Sequence, residues 1–303
     1  DAYVIAQLLA TNKYKASYIS NEEYHNLKVL NRLKKSLDDK IKTVKREIST
    51  VVAIVNPEIE NVFPNIFTKT AIAIIKAYPT SMDISKATPE KLTKLFRHIK
   101  GNNFSEDKAE YLISLAKTSI YTGRALESRA LMIRTNIKIL ELLVQEKDEV
   151  EKQIQDLIDN HLDNDSSNIN NVKSIPGVSD KTIAAILGEC GDLRRFDSTK
   201  AFIGFLGLYP TLYQSGKSFS TGTLAKRGIP IAKHALYMAA VSAVRHNAEL
   251  HKLFRDKVSA GKSKKEALII IAKKLASIIY SLFKYNQLYK PHRVLIQHKK
   301  QTC

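Results

Sequence analysis

The chain has 303 residues, enough for two or three modest units, each with a core of its own. Its 48 Lys and Arg against 30 Asp and Glu leave a formal charge of +18, which favours a polyanionic partner because each phosphate neutralised releases condensed counterions. The 2 cysteines, Cys190 and Cys303, exclude a disulfide framework and a cysteine zinc site, and make a reducing compartment the expectation.

The opening DAYVIAQLLA reads as the middle of a helix, with neither an initiator Met nor a signal peptide, so the sequence is expected to be a piece of a longer protein. Leu30, Leu33, Leu37, Ile41, Val44, Ile48, Val51 and Val55 then recur at steps of three and four, with charged residues between them. A second seam runs through Ile133, Ile137, Leu140, Val144, Ile154 and Leu157. Two such helices pair most simply as an antiparallel coiled-coil hairpin over residues 21–160; a coil between two chains is the rival that the pattern leaves open. Between the seams, Pro64, Pro79 and Pro89 punctuate a helical insertion at about 57–123, with helices predicted near 68–78, 89–99 and 105–121 and Thr88 as an N-cap before Pro89. The polar run Asp159 to Asn171 reads as a linker, assigned to 161–171, and a second domain follows over 172–290.

That domain opens on Ser174-Ile175-Pro176-Gly177-Val178-Ser179, leading into the helix-like DKTIAAILGE. Helix, tight glycine turn and a second helix whose amides face outward would form a helix-hairpin-helix phosphate clamp, with Gly177 and Lys181 against the backbone and Asp180 able to cap the second helix. An ordinary turn between packed helices is the alternative, in which Lys181 is a solvated charge.

Next comes GLYPTLYQSGKS, in which Thr211 occupies the position where a nucleotide-hydrolase phosphate loop needs glycine, so that reading is excluded. What remains is a short aromatic strand or turn and then a loop rich in Ser, Thr and Gly. It seats Ser215 between Gln214 and Gly216, with Lys217, Lys226 and Arg227 close behind. A hydroxyl nucleophile needs such a seat, although loops of this composition are more often surface turns. No His or Asp nearby supplies a base, and His234 is as readily structural. Further on, Ile269, Ile270, Ala272, Leu275, Ile278, Ile279 and Leu282 make a broad apolar face, interrupted by Lys273 and Lys274. The run is therefore a buried helix and not a membrane span. A basic tail occupies 291–303.

The Ile-Pro-Gly turn, the Arg-Phe before a helix, Phe-Leu-Gly-Leu-Tyr-Pro, Ser-Gly-Lys, Lys-Arg-Gly and the Ala-Leu-Tyr-Met helix together resemble, over about 172–290, the C-terminal transposase domain of the insertion-sequence family of the one-ten, eleven-eleven and one-sixteen type. The resemblance implies a mainly α fold with a long coiled-coil hairpin and a helical transposase domain. It also implies cutting and rejoining of DNA through a serine nucleophile, which maps to Ser215, with Tyr213 as the rival. Gly177, Lys181, Gly216, Lys217, Lys226 and Arg227 would contact nucleic acid, the last three also stabilising transition-state charge. In that family a RuvC-like domain holds Mg2+ on four acids. Asp1 is similar to the fourth of these, catalytic and metal-binding, and residues 1–20 read as the end of that domain; the first three acids have no counterpart here. Expected partners are DNA, a structured guide RNA and further copies of the chain, in a prokaryotic cytoplasm at the nucleoid and away from membranes. A non-catalytic DNA-binding protein or an inactive remnant is the alternative.

Overall fold

The structure, a computed structural model, describes residues 2–11, 18–96, 99, 104–161, 166–215, 218–225 and 227–291. The described chain is mainly helical. Asp1, Gly216, Lys217 and Lys226, and the basic tail from residue 292 on, lie outside it. Helix α1 (Ala2–Ala10) buries none of its residues. The chain divides into two compact units, residues 33–151 and residues 1–32 with 152–303. The divisions thus fall inside the two longest helices, α2 (Glu22–Val55) and α8 (Leu126–Asp156).

In the unit of residues 33–151, α2 and α8 run antiparallel. Lys34 Nζ meets Glu151 Oε1 at 3.2 Å and Lys147 Nζ meets Asp38 Oδ1 at 2.7 Å, so a step of four residues up one helix is a step of four down the other. Ile41, Ile48, Val52 and Val55 are buried with Ile133, Ile137 and Leu140 in one core. Leu33 and Val144, expected in the seam, remain 44% and 40% exposed. The intervening segment folds as α3 (Ile59–Val62), α4 (Lys69–Ala77), α5 (Ser81–Ser85), α6 (Pro89–Phe96) and α7 (Glu106–Lys117). Polar side chains start these helices by taking orphaned amides: Thr68 accepts from the Ala71 amide, Thr80 and Asp83 form a capping box, Thr88 accepts from the Lys91 amide and Ser105 from the Lys108 amide. Helices α3 and α5 were not predicted, being too short to show a period. Their Ile59 and Ile84 nevertheless join Ile74, Ile75, Leu92 and Leu112 in the core.

The other unit is built around α10 (Asp180–Cys190), which is buried continuously from Thr182 to Cys190. Around it stand α9 (Ser166–Lys173), α11 (Thr199–Leu206), α12 (Pro230–His246), α13 (Ala248–Ser259) and α14 (Lys264–Tyr285). The predicted linker is therefore helix from Ser166 onward. Ile169 and Val172, one turn apart, are buried, and Asn171 Nδ2 donates to Asn286 Oδ1 at 2.6 Å. The Ser167 hydroxyl donates to the same Asn286 oxygen at 2.9 Å, so buried side chains and shared amide contacts hold as helix a run whose composition reads as loop. Helix α14 opens on a Ser263–Glu266 capping box and buries Ala267, Ile271, Leu275, Ile279 and Phe283 at steps of four. Among the described residues, no helix is long and apolar enough to cross a membrane.

One element departs from the helical expectation. Between α11 and α12 the chain forms an antiparallel hairpin of β1 (Pro210–Ser215) and β2 (Ser218–Leu224), where a short aromatic strand or turn and then a loop rich in Ser, Thr and Gly were expected. Thr211, Leu212, Tyr213, Phe219, Thr221 and Thr223 suit strands while the Ser and Gly residues between them do not, and the backbone hydrogen bonding of the two segments holds the whole run as a hairpin.

Candidate functional site

The site is built from the hairpin's base upward. Ser198 caps α11 by accepting from the Ala201 amide, and Phe202, Ile203 and Leu206 bury the helix. Gly207 ends it in the left-handed conformation, φ 76°, with its amide shared between the Ile203 and Gly204 carbonyls. On the return side Gly228 has φ 100°. The two strands' ends are drawn together here: the Ala225 amide donates to the Tyr209 carbonyl at 2.9 Å and the Ile229 amide to the Leu206 carbonyl at 3.3 Å. The Lys233 ammonium, from the first turn of α12, donates to the Ala225 carbonyl at 3.1 Å and the Arg227 carbonyl at 2.9 Å. These carbonyls lie outside any ladder, and one cation satisfies both.

From this base the ladder pairs Pro210 with Leu224, then shifts register so that Leu212 faces Thr221, Tyr213 Ser220, Gln214 Phe219 and Ser215 Ser218. Two residues of β2 thus stand opposite one of β1, an interruption that bends and twists a hairpin locally. Ser215 is the last residue of β1, and its partner Ser218 is the first of β2. The serine predicted as nucleophile therefore occupies the outer end of a paired strand. Gly216 and Lys217, between them, and Lys226, beyond β2, lie outside the described residues. Arg227 is exposed at the hairpin's foot, and Lys181 is exposed on the first turn of α10.

Gly177 takes φ 92° in the turn between α9 and α10. A Cβ there would stand 2.5 Å from the backbone of Ala243 in α12, so close packing of the turn on that helix already accounts for the glycine. Asp180 does not cap α10. The cap is Ser179, whose side chain takes no amide, while the Asp180 carboxylate receives Lys173 Nζ at 3.2 Å and Gln155 Nε2 at 3.0 Å. The predicted hairpin residues and the Gly177 turn are thus on one unit but on different elements of it.

Sequence reasoning missed a second constellation in the same unit. Arg195 Nε donates to the Cys190 carbonyl at 2.9 Å, and its guanidinium stands 4.2 Å from the ring centre of Tyr18, 4.2 Å from Phe196 and 4.8 Å from Phe205. Tyr18 is fixed from its other end, since its hydroxyl accepts from the Asp192 amide at 3.2 Å. The Phe196 backbone is held by Tyr280 and Lys284, both donating to its carbonyl at 2.7 and 2.6 Å. Below the cluster, Arg32 grips the Glu189 carboxylate through Nε and Nη2 at 2.9 and 3.0 Å. Burial pushes the neighbouring Cys190 thiol pKa up. The Arg-Arg-Phe string was the only signal, and it does not name Tyr18, whose hydroxyl bond to Asp192 spans 174 residues.

Among the described residues, no group of three or more His, Cys, Asp or Glu side chains is placed to hold a metal ion. The acid expected to bind one, Asp1, lies outside those residues, so the described side chains alone do not fit a Mg2+ site.

Residues 169–255 match the family described as "Transposase IS116/IS110/IS902 family". The chain is 33% identical over 117 residues to the pilin gene-inverting protein of Moraxella bovis, an overlap of 38% of this chain and 36% of that protein. The pilin gene-inverting protein of Moraxella lacunata matches equally, at 33% over 117 residues. A 43.6 kDa protein of insertion element IS110 from Streptomyces coelicolor is 24% identical over 117 residues, 39% of this chain and 29% of that protein. The chain thus spans about a third of the length of the curated relatives it matches. The matched segment runs from α9 through the hairpin into α13, and it is this part of the chain that is similar to the IS116/IS110/IS902 transposases.

Proposed function

We propose that the chain is part of a DNA transposase or recombinase in which Ser215 attacks a scissile phosphodiester. The observation that carries this reading is the family match over residues 169–255, which contains the whole hairpin. Two relatives of this segment are named for inverting a gene, a rearrangement that requires strands to be cut and rejoined. The clamped base and the paired position of Ser215 support it further, because a nucleophile held on a rigid element loses less entropy on reaching its target. In the proposed step the Ser215 Oγ–phosphorus bond forms and the phosphorus–deoxyribose oxygen bond breaks. The hydroxyl proton ends on the leaving oxygen, and the strand is held as a phosphoserine that a second strand end then displaces. Lys217, Lys226 and Arg227 are the cations proposed to meet the charge of the pentacoordinate state.

The proposal extends to a structured guide RNA, to assembly of several copies on DNA, and to Mg2+ shared between Asp1 and acids supplied from outside this chain. Gly177 and Lys181 are proposed contacts to the DNA backbone, a role in which the Gly177 turn would serve packing and binding together. The deciding experiment uses the full-length protein with end-labelled DNA of its element. Wild type is expected to form a denaturant-resistant protein–DNA adduct, and Ser215→Ala to form none while still retaining DNA in a mobility shift. Adducts that persist in Ser215→Ala and vanish in Tyr213→Phe would transfer the role to Tyr213. Tight binding with no adduct from either protein would mark a DNA-binding protein without this chemistry.

A further inference from the structure

The Arg195 cluster walls an open cleft of about 230 Å³, lined by Tyr18, Lys28, Glu189, Gly191, Arg195 and Phe205 among others. Three observations define what it would take. Its aromatic walls reach solvent, Tyr18 at 44% and Phe205 at 40% exposure. Its cations have no ion-pair partner: the Glu189 carboxylate, which also lines the cleft, is taken by both guanidinium bonds of Arg32, and among the described residues no carboxylate pairs with Lys28 or Arg195. Arg195 is also immobilised, by three rings and by its Nε bond to Cys190, which leaves its two Nη groups without a hydrogen-bond acceptor among the described residues. Rings that stay exposed beside a rigid guanidinium and a lysine suit a ligand that is at once planar and anionic. The volume, below the range of drug-sized ligands, suits one ring system.

We propose that Tyr18, Arg195 and Phe205 form a stacking site for one unpaired nucleobase of a DNA or RNA strand, with Lys28 meeting the adjoining phosphate. Aromatic faces and arginine planes bind bases without regard to sequence, because every base has a π face. Phe205 lies in the last turn of α11, two residues before the Gly207 from which the hairpin springs, so a base held there leaves its strand at the foot of the hairpin whose outer end carries Ser215. The inference rests on the nucleic-acid reading of the chain and adds to it a preference for unpaired strands.

The test uses the full-length protein with three probes: a single-stranded DNA and a single-stranded RNA, each carrying 5-iodouracil, and a duplex of the same sequence. Irradiation is expected to cross-link one or both single strands to the peptides containing Tyr18 or Phe205. Phe205→Leu, which keeps an apolar side chain against Phe196, should weaken single-strand binding by about 5- to 150-fold, the worth of one stacked base, and leave duplex binding within about twofold. Cross-linking of DNA alone or RNA alone identifies which strand the site serves. Duplex binding with cross-links only elsewhere, or with single-strand affinity unchanged in Phe205→Leu, overturns the stacking site and leaves the proposed function standing. Failure to bind any of the three probes overturns both.

Discussion

Gly207 and Gly228 stand back to back where the hairpin joins the helical unit. A Cβ on Gly228 would lie 2.7 Å from the Gly207 Cα and 2.3 Å from the Leu206 carbonyl oxygen, and one on Gly207 would lie 2.1 Å from the Arg227 carbonyl oxygen. Both have positive φ, so a side chain at either position meets a backbone penalty as well as a collision. Gly207→Ala and Gly228→Ala are each expected to cost about 1–3 kcal/mol, read as a lower urea midpoint with an unchanged slope. The double variant should cost less than the sum, since the first substitution already forces the two strands' ends apart. Additive losses would mean that the two glycines are independent.

Lys233 closes the same junction with charge in place of shape. Replacing it with Met removes the donor for the Ala225 and Arg227 carbonyls while keeping the aliphatic stem. Because the junction is partly open to water, the global effect should be modest, about 1 kcal/mol, and the local effect larger in kind. Hydrogen exchange should quicken by about tenfold at the Ala225 and Ile229 amides and stay unchanged in α10. Equal acceleration in both places would show that Lys233 acts on the whole unit.

Arg32 and Glu189 differ in exposure, with side chains 59% and 3% exposed, so the pair is asymmetric. Removing the arginine strands a buried carboxylate, whereas removing both charges strands nothing. Arg32→Met is expected to destabilise by about 1–3 kcal/mol, and the Arg32→Met/Glu189→Met double variant to recover part of that loss. A double-mutant cycle in urea checks the sign of the coupling.

Cys190 provides a pH signature. Burial holds its thiol pKa above the ordinary value, so the folded state retains a proton that the unfolded chain loses above about pH 8.5. The contribution is therefore complete below that pH and falls as pH rises through it. The difference in Tm between wild type and Cys190→Ala should shrink between about pH 8 and pH 10. Peptide mapping after brief alkylation at neutral pH should find Cys190 unmodified until denaturant is added.

The helices were legible because their signal is local. Steps of three and four brought out α2, α8 and α14; a Thr-Pro pair marked the start of α6, and the Ile-Pro-Gly turn marked the break before α10. Each needs only neighbours within a few residues, and an apolar stripe must be buried whatever covers it. The basic charge and the resemblance over the matched segment were equally legible, the first from composition and the second from motifs of a few neighbouring residues.

Tertiary structure decided the rest, where the partner is distant or the composition misleads. Leu212 and Tyr213 hinted at a strand, but the Ser, Thr and Gly of residues 218–224 pair with it only because the two segments satisfy each other's amides. The polar α9 is ordered through an Asn171 contact 115 residues away. Gly177 reads as a phosphate turn in sequence, and the fold shows a second reason for it in the backbone of α12. The Tyr18–Arg195–Phe205 cluster, whose Tyr18–Asp192 bond spans 174 residues, was signalled in sequence only by its Arg-Arg-Phe string, which says nothing of Tyr18. Sequence determined which segments must bury a face, because periodicity is written in neighbouring residues. Which face meets which, and which cations remain without a carboxylate, was decided only once the chain was packed.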